Sequence, residues 1–403
     1  MSQAPYQPLA RRWRPNTFAS VVGQHVPLSI LKNALEAQKV PHALLFHGLH
    51  GTGKTTLARI TSKALNCLSP TSPHEPCNNC ESCSLIDGDA HPDVREVDAA
   101  SRTGVDDTRE MLESLPYQPV LSAYKVYIID EVHMLSKSAF NALLKSLEEP
   151  PSHVKFIFAT TELYKVPATT LSRCLILDLA PITRQKLEEH LGSIAKTEKV
   201  DIDQDALSLL SEHTNGSARD AVMAFEKVMH FSGKKKITAE IVQNAMGVIS
   251  LKSAYVLLEF VLSGSSDDTR SHVASFYKKG ITPQTIISSL MNALYLLICA
   301  LKSPDEYAHM QTMVDECVKG KKDKVTLPFL LFVWQIMLRI KEEVDFSANA
   351  QNALDIGLLR FDDAILLQEA VAAPALPSTE EKATAVLKAI KKAFPDTEII
   401  MKK

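Results

Sequence analysis

The chain has 403 residues, 45% of them hydrophobic and 23% charged, with a formal charge of −3. Such a length implies two or three domains, and the composition is that of an ordinary soluble globular protein. The near-neutral balance excludes a global polycation, so any nucleic-acid contact must use local basic patches.

The first nine residues are polar and carry no apolar stretch of signal-peptide length, so the cytoplasm is the expected location. Residues 1–20 are basic and aromatic, with Arg11, Arg12, Trp13 and Arg14. Strand-length runs rich in β-branched or aromatic residues follow at 43–47, 94–97, 125–129 and 154–159. Helix-length stretches such as 55–68 and 136–147 lie between them. This alternation predicts a parallel α/β sheet covered on both faces.

The first strand runs into Gly48-Leu49-His50-Gly51-Thr52-Gly53-Lys54-Thr55, a G-x4-G-K-T phosphate loop that opens a helix. Glycines let the backbone wrap round phosphates with its N–H groups pointing inward, and the helix N-terminus adds partial positive charge. All eight residues are therefore expected to bind nucleotide. Lys54 would place a full charge near the β- and γ-phosphates of ATP, and the Thr55 hydroxyl would bind Mg²⁺.

Four of the seven cysteines crowd together as Cys67, Cys77, Cys80 and Cys83, in a turn-rich segment with Pro70, Pro73, Pro76, Asn78 and Asn79. Four soft ligands suit a tetrahedral Zn²⁺, and a site filled by protein on all four positions is structural, not catalytic. The 67–83 segment reads as an insertion in the sheet domain. His74 is a spare donor outside the ligand set.

The third strand ends in Ile128-Ile129-Asp130-Glu131, two carboxylates at the edge of a parallel sheet where ligands bind. Asp130 would hold Mg²⁺ together with Thr55, and Glu131 would polarise the attacking water. Phosphoryl transfer needs both roles. No other carboxylate cluster would hold the two metals of nucleotide addition, so the chain itself is not a polymerase.

Beyond 180 helical periodicity dominates, with Leu187, His190, Leu191 and Ile194, then Ala206, Leu207, Leu209 and Leu210, then Ala221, Val222, Phe225 and Val228. The expected organisation is a nucleotide-binding domain at 1–180, a helical lid at 181–245, an all-helical domain at 246–370 and a linker with a short helix at 371–403. The apolar run 285–301 is interrupted by Ser288, Ser289 and Asn292 and reads as helical core, with no membrane span expected. The basic runs at 234–236 and 319–324 read as solvated loops. Ser378 and Glu381 suit a capping box for a helix over 380–394, with Ala383, Val386, Leu387, Ile390 and Phe394 on one face.

Together, Leu9-Ala10-Arg11-Arg12-Trp13-Arg14-Pro15, the phosphate loop, the four cysteines, Asp98-Ala99-Ala100-Ser101-Arg102, Ile129-Asp130-Glu131-Val132-His133-Met134-Leu135, Leu147-Glu148-Glu149-Pro150-Pro151 and Leu171-Ser172-Arg173-Cys174 resemble the bacterial DNA polymerase III gamma/tau family. That family supplies the AAA+ ATPase motor of the sliding-clamp loader. The match covers roughly residues 5–230, and the helical remainder agrees in length and character.

The resemblance implies further roles. Arg173 would be an arginine finger, reaching in trans into the ATP site of a neighbouring subunit. Thr161, preferred over Thr160, would be the first sensor. Arg219, in Gly216-Ser217-Ala218-Arg219-Asp220, would touch nucleotide from the lid. The all-helical domain would form an oligomerisation collar. Implied partners are the delta and delta-prime subunits, further gamma/tau copies, the sliding clamp and primer–template DNA, with Arg102, Arg109 and Lys145 as candidates for backbone contact. The family's long form carries further C-terminal domains that bind the polymerase and the replicative helicase, and this sequence is not expected to supply them.

Two other readings compete. One is a different AAA+ DNA-remodelling ATPase, such as a branch-migration or initiator protein. The other is a ring scaffold that binds ATP with little turnover. The four-cysteine insertion argues against the first, and intact Lys54, Glu131 and Arg173 argue against the second.

Overall fold

The computed structural model describes residues 6–101, 110–233, 235–304, 307 and 325–372, with side chains to 361. They fall into two compact units divided between Ile241 and Val242.

The first unit is built on five parallel strands: β1 (Ala43–Gly48), β2 (Val94–Asp98), β3 (Lys125–Asp130), β4 (Val154–Thr160) and β5 (Leu175–Leu179). Their order is β2-β3-β4-β1-β5. Successive side chains point to opposite faces, and both faces are apolar. Leu44, Phe46, Val126, Ile128, Ile157 and Leu177 pack with Leu31, Leu35, Leu57 and Ile60 of the helices His25–Glu36 and Lys54–Asn66. Ala43, Leu45, Tyr127, Ile129, Phe156 and Phe158 pack with Phe140, Leu143 and Leu147 of the helix Lys137–Glu148. Each fully buried Leu, Ile or Phe contributes about 1.5–3 kcal/mol, so a polar residue on either face would break the layering.

Boundaries follow local chemistry. Each of the four anticipated strands runs one residue further, ending on Gly48, Asp98, Asp130 and Thr160. The helix after the phosphate loop stops at Asn66 rather than 68, because Cys67 turns extended (φ −68°, ψ 128°). Ser136 caps Lys137–Glu148 by accepting from the Ala139 N–H. The fifth strand, Leu175–Leu179, was not anticipated. Leu177 and Leu179 are buried on one face, while Ile176 leans on the other cluster.

Three helices complete this unit, Arg184–Thr197, Gln204–Glu212 and Ala218–Ser232. Leu187, Leu191, Ile194, Ala206, Leu210, Ala221, Phe225 and Val228 are buried between them. The N-terminal segment straps the unit together. Glu226 accepts from the Tyr6 hydroxyl and the Leu9 N–H, Glu198 accepts from the Trp13 indole N–H, and Glu75 accepts from the N–H groups of Phe18 and Ala19.

The second unit is helical. Leu251–Ser263, Ser266–Lys278, Pro283–Lys302, Leu327–Phe346 and Ala350–Ala372 share one core. Pro283–Lys302 is long and apolar enough to cross a membrane by composition. In this structure Ile286, Ile287, Leu290, Leu294 and Leu297 are fully buried in the helical core. The expected helix at 380–394 and the basic run at 319–324 lie outside the described residues.

Candidate nucleotide and metal sites

Parallel strands bring their C-terminal ends to one edge, and the candidate residues sit there. Gly48 closes β1, Asp130 closes β3 and Thr160 closes β4, with β4 lying between the other two. Gly51 has φ +74°, and a Cβ there would lie 2.0 Å from Ser217 Oγ. At Gly48 a Cβ would lie 2.4 Å from the Leu179 carbonyl oxygen. Only glycine lets the loop pass this close to β5 and to the lid.

Lys54 is 5% exposed, and its Nζ donates to the carbonyls of Gly48 and Leu49, both at 3.0 Å. Burial pushes its pKa down, and the carboxylates of Glu131 and Asp130 pull it back up. Thr55 Oγ1 donates to Asp130 Oδ2 at 2.6 Å. The two groups expected to hold Mg²⁺ are therefore in contact, although they lie 75 residues apart in sequence.

Glu131 has left-handed backbone angles, φ 46° and ψ 46°. A non-glycine residue held there costs about 1–3 kcal/mol. Its N–H donates to Asp130 Oδ1 at 2.9 Å, and its Oε2 accepts from Thr161 Oγ1 at 3.2 Å. The neighbouring Thr160 is fully buried, and its Oγ1 accepts from the Glu162 N–H and lies 2.9 Å from His133 Nδ1. The two adjacent threonines thus serve different partners, and Thr161 is the one at Glu131.

The lid meets the phosphate loop directly. Ser217 caps Ala218–Ser232 by accepting from the Asp220 N–H, and the Arg219 N–H points at the Gly51 carbonyl at 3.4 Å. The start of that helix adds positive potential beside the loop. The Arg219 side chain is exposed. His50 is also exposed, 4.0 Å from Glu131 Oε1. Arg173 lies elsewhere, donating to Glu148 Oε1 and the Thr169 carbonyl, both at 2.6 Å. Lys145 is exposed on Lys137–Glu148, while Arg102 and Arg109 lie outside the described residues.

Three contributors escaped the sequence reading. Gln24, 7% exposed, donates to the Ala180 carbonyl at 2.7 Å and accepts from the Ala180 N–H at 3.1 Å, fixing the N-terminal segment beside β5. His133 and Glu162 flank Glu131 and the two threonines. His133 lay inside a motif already quoted, but nothing local marks its partners.

The four cysteine Sγ atoms all lie within 4.8 Å of one another, and Cys67 and Cys80 are 3.9 Å apart. A tetrahedral zinc with bonds of about 2.3 Å spaces its sulfurs about 3.8 Å apart, so the set fits the ion. Cys77 Sγ accepts from the N–H groups of Asn79 and Cys80, which with the Ser69 hydroxyl bring its thiol down to about 5. The Cys77 N–H donates to Cys67 Sγ at 3.3 Å. Such donors stabilise thiolates, the form that ligates metal, while burial pushes the Cys67 and Cys83 thiols up. His74 Nδ1 lies 2.8 Å from Glu36 Oε1, outside the thiol cluster. Elemental analysis of purified protein should find about one zinc per chain, and chelation should lower the melting temperature. A zinc-free, fully folded chain would sink the assignment.

Residues 23–183 match the family described as "DNA polymerase III, delta subunit", and residues 237–373 match "DNA polymerase III subunits gamma and tau domain III". A gamma subunit of Buchnera aphidicola subsp. Acyrthosiphon pisum is 35% identical over 368 residues, covering 89% of this chain and 99% of the relative. The tau subunit of Salmonella typhimurium is 36% identical over 355 residues, which is 88% of this chain but 55% of that protein. The chain therefore spans about half the length of the tau relative and nearly all of the gamma relative. A likeness that runs along the whole of a gamma subunit, across both units, leaves one conclusion: this chain belongs to the DNA polymerase III gamma/tau subunit family.

Proposed function

We propose that the chain is an ATP-hydrolysing AAA+ motor of a clamp loader, which loads the sliding clamp onto primed DNA in the cytoplasm. The observation that carries this reading is the Thr55–Asp130 contact at 2.6 Å, with Glu131 and the lid's first turn beside it. Family membership supports the replicative setting, with delta, delta-prime and further gamma/tau copies as partners. Residues 1–180 would form the motor, 181–245 its lid and 246–370 the collar, with 371–403 as a tail.

The phosphate-loop residues 48–55 would grip the triphosphate through backbone N–H groups, with the Lys54 ammonium against the β- and γ-phosphates. Thr55 and Asp130 would hold Mg²⁺, which when bound would neutralise phosphate charge. Glu131 would orient the attacking water, and Thr161 would keep its carboxylate aimed. Arg219 would enter from the lid, so that a bound nucleotide draws the lid onto the loop. ATP then acts as a ligand that favours one assembly state over another. Lys145, Arg102 and Arg109 are the candidates for contact with the DNA backbone. They would need no sequence code, because phosphate contacts position rather than specify.

Turnover measured in a reconstituted complex tests this reading. Addition of both primed DNA and clamp should raise ATP hydrolysis. Equal rates with and without them would favour the scaffold reading. Stimulation by branched DNA, with no response to clamp, would favour a different remodelling ATPase.

A further inference from the structure

We infer that His133 is a positioning residue for Glu131, and that Glu162 sets the orientation of its imidazole. The inference rests on the reading of Glu131 as the water-orienting carboxylate.

His133 lies in the short 3-10 turn Val132–Met134 directly after β3, and its side chain is 8% exposed. Nδ1 is 2.9 Å from Thr160 Oγ1 and 3.4 Å from Glu131 Oε2. Nε2 is 3.3 Å from Glu162 Oε2. Both nitrogens therefore face partners, from two different strand ends.

The hydrogens follow from the surroundings. Thr160 Oγ1 already accepts from the Glu162 N–H at 3.1 Å, so its own proton is free to go to His133 Nδ1. Nε2 then carries the ring proton and donates to the Glu162 carboxylate. One acceptor nitrogen and one donor nitrogen satisfy both contacts. Glu162 is itself fixed. It pairs with Lys165 and accepts from the Tyr164 hydroxyl at 3.1 Å.

A ring anchored at both ends cannot turn. It walls off one side of Glu131 Oε2, while the Thr161 hydroxyl donates to the same oxygen at 3.2 Å. The catalytic carboxylate thus stands in a bracket, which matters because its own backbone is held in a strained left-handed turn. Orientation errors of about 1 Å cost on the order of a hundredfold in rate.

The test measures kcat, KM for ATP, affinity for a fluorescent ATP analogue and melting temperature in the assembled complex. His133→Phe keeps the ring and removes both nitrogens. It should lower kcat about ten- to a hundredfold while KM and analogue affinity stay within about twofold. His133→Asn, which restores a polar atom towards Thr160, should recover part of the loss. Glu162→Ala, which removes the acceptor for Nε2–H, should lower kcat in the same direction by less. A wild-type kcat in His133→Phe overturns the inference, and so does a loss of nucleotide affinity as large as the loss of kcat. If His133→Phe melts below the assay temperature, Glu162→Ala decides, and a wild-type kcat there overturns the inference. Glu131→Gln is run alongside. If it hydrolyses ATP normally, the reading of Glu131 falls and the inference with it. If it is inactive while His133→Phe is not impaired, the inference alone falls.

Discussion

Glu131→Gln should give a chain that binds ATP and does not turn it over. The substitution conserves shape and leaves an oxygen to accept from the Thr161 hydroxyl, now at 3.2 Å. It also leaves untouched the strained turn and the Asp130 contact of the Glu131 N–H. What it removes is the negative charge able to draw a proton from water. Loss of a general base typically costs about 10²–10⁴ in rate. On the proposed reading, ground-state contacts to nucleotide would run through the loop 48–55 and Asp130, so affinity should hold. Phosphate release and analogue binding, measured on the same preparation, separate the two. A parallel fall in both would mean that Glu131 serves binding rather than catalysis. One further effect has a known sign. Glu131 is the larger of the two carboxylate influences that raise the Lys54 pKa against its burial. Without it, that pKa falls, and part of the lysine's charge is lost sooner as pH rises.

How far the sequence could be read depended on whether the information was local. Apolar runs exposed β1, β3 and β4 because each is buried on both faces and so reads as a nearly continuous apolar segment, as in Ala43-Leu44-Leu45-Phe46, whereas β2, at the sheet edge and only partly buried, showed through Val94 and Val97. Their C-terminal limits were harder. Gly48, Asp98, Asp130 and Thr160 extend the ladders but belong chemically to the loops that follow. β5 is hard to read because Leu175–Leu179 is short, carries Asp178 at its fourth position and follows directly on Ser172-Arg173-Cys174. The phosphate loop and the carboxylate pair were legible since their geometry is encoded within a few residues. The four thiols were legible because cysteines are rare and their spacing is tight.

What stayed hidden was contact between distant segments. Nothing near Gln24 predicts that its amide will pair with both backbone groups of Ala180, 156 residues away. Nothing near Gly51 predicts that Ser217 will sit where its Cβ would be. His133 and Glu162 are ordinary residues in sequence. They gain a role only because the parallel order places β4 against β3, bringing Thr160 and Thr161 to the carboxylate end. Tertiary register, not propensity, decides these cases.

Arg173→Ala should silence hydrolysis in an assembly while leaving the isolated chain's ATP binding intact. Arg173 contacts Glu148, Thr169 and Ser172, none of them in the phosphate loop. Its side chain is 31% exposed and that of Glu148 52%, so the ion pair is a surface one. Such pairs contribute about 0–1 kcal/mol, so exchanging Glu148 for a phosphate on a neighbouring chain costs little. The reward is large, since a guanidinium at the transferring phosphoryl group is worth about 10³–10⁵ in rate. Arg173→Lys should recover little, because a point charge lacks the planar fork. The decisive measurement mixes two inactive proteins. A ring interface made from an Arg173→Ala chain, with Lys54 intact, and a Lys54→Ala chain, with Arg173 intact, contains one complete site. If the arginine acts in trans, co-assembly of the two should restore turnover that neither shows alone. If it acts within its own chain, every site in the mixture lacks one group or the other, and the mixture stays inactive.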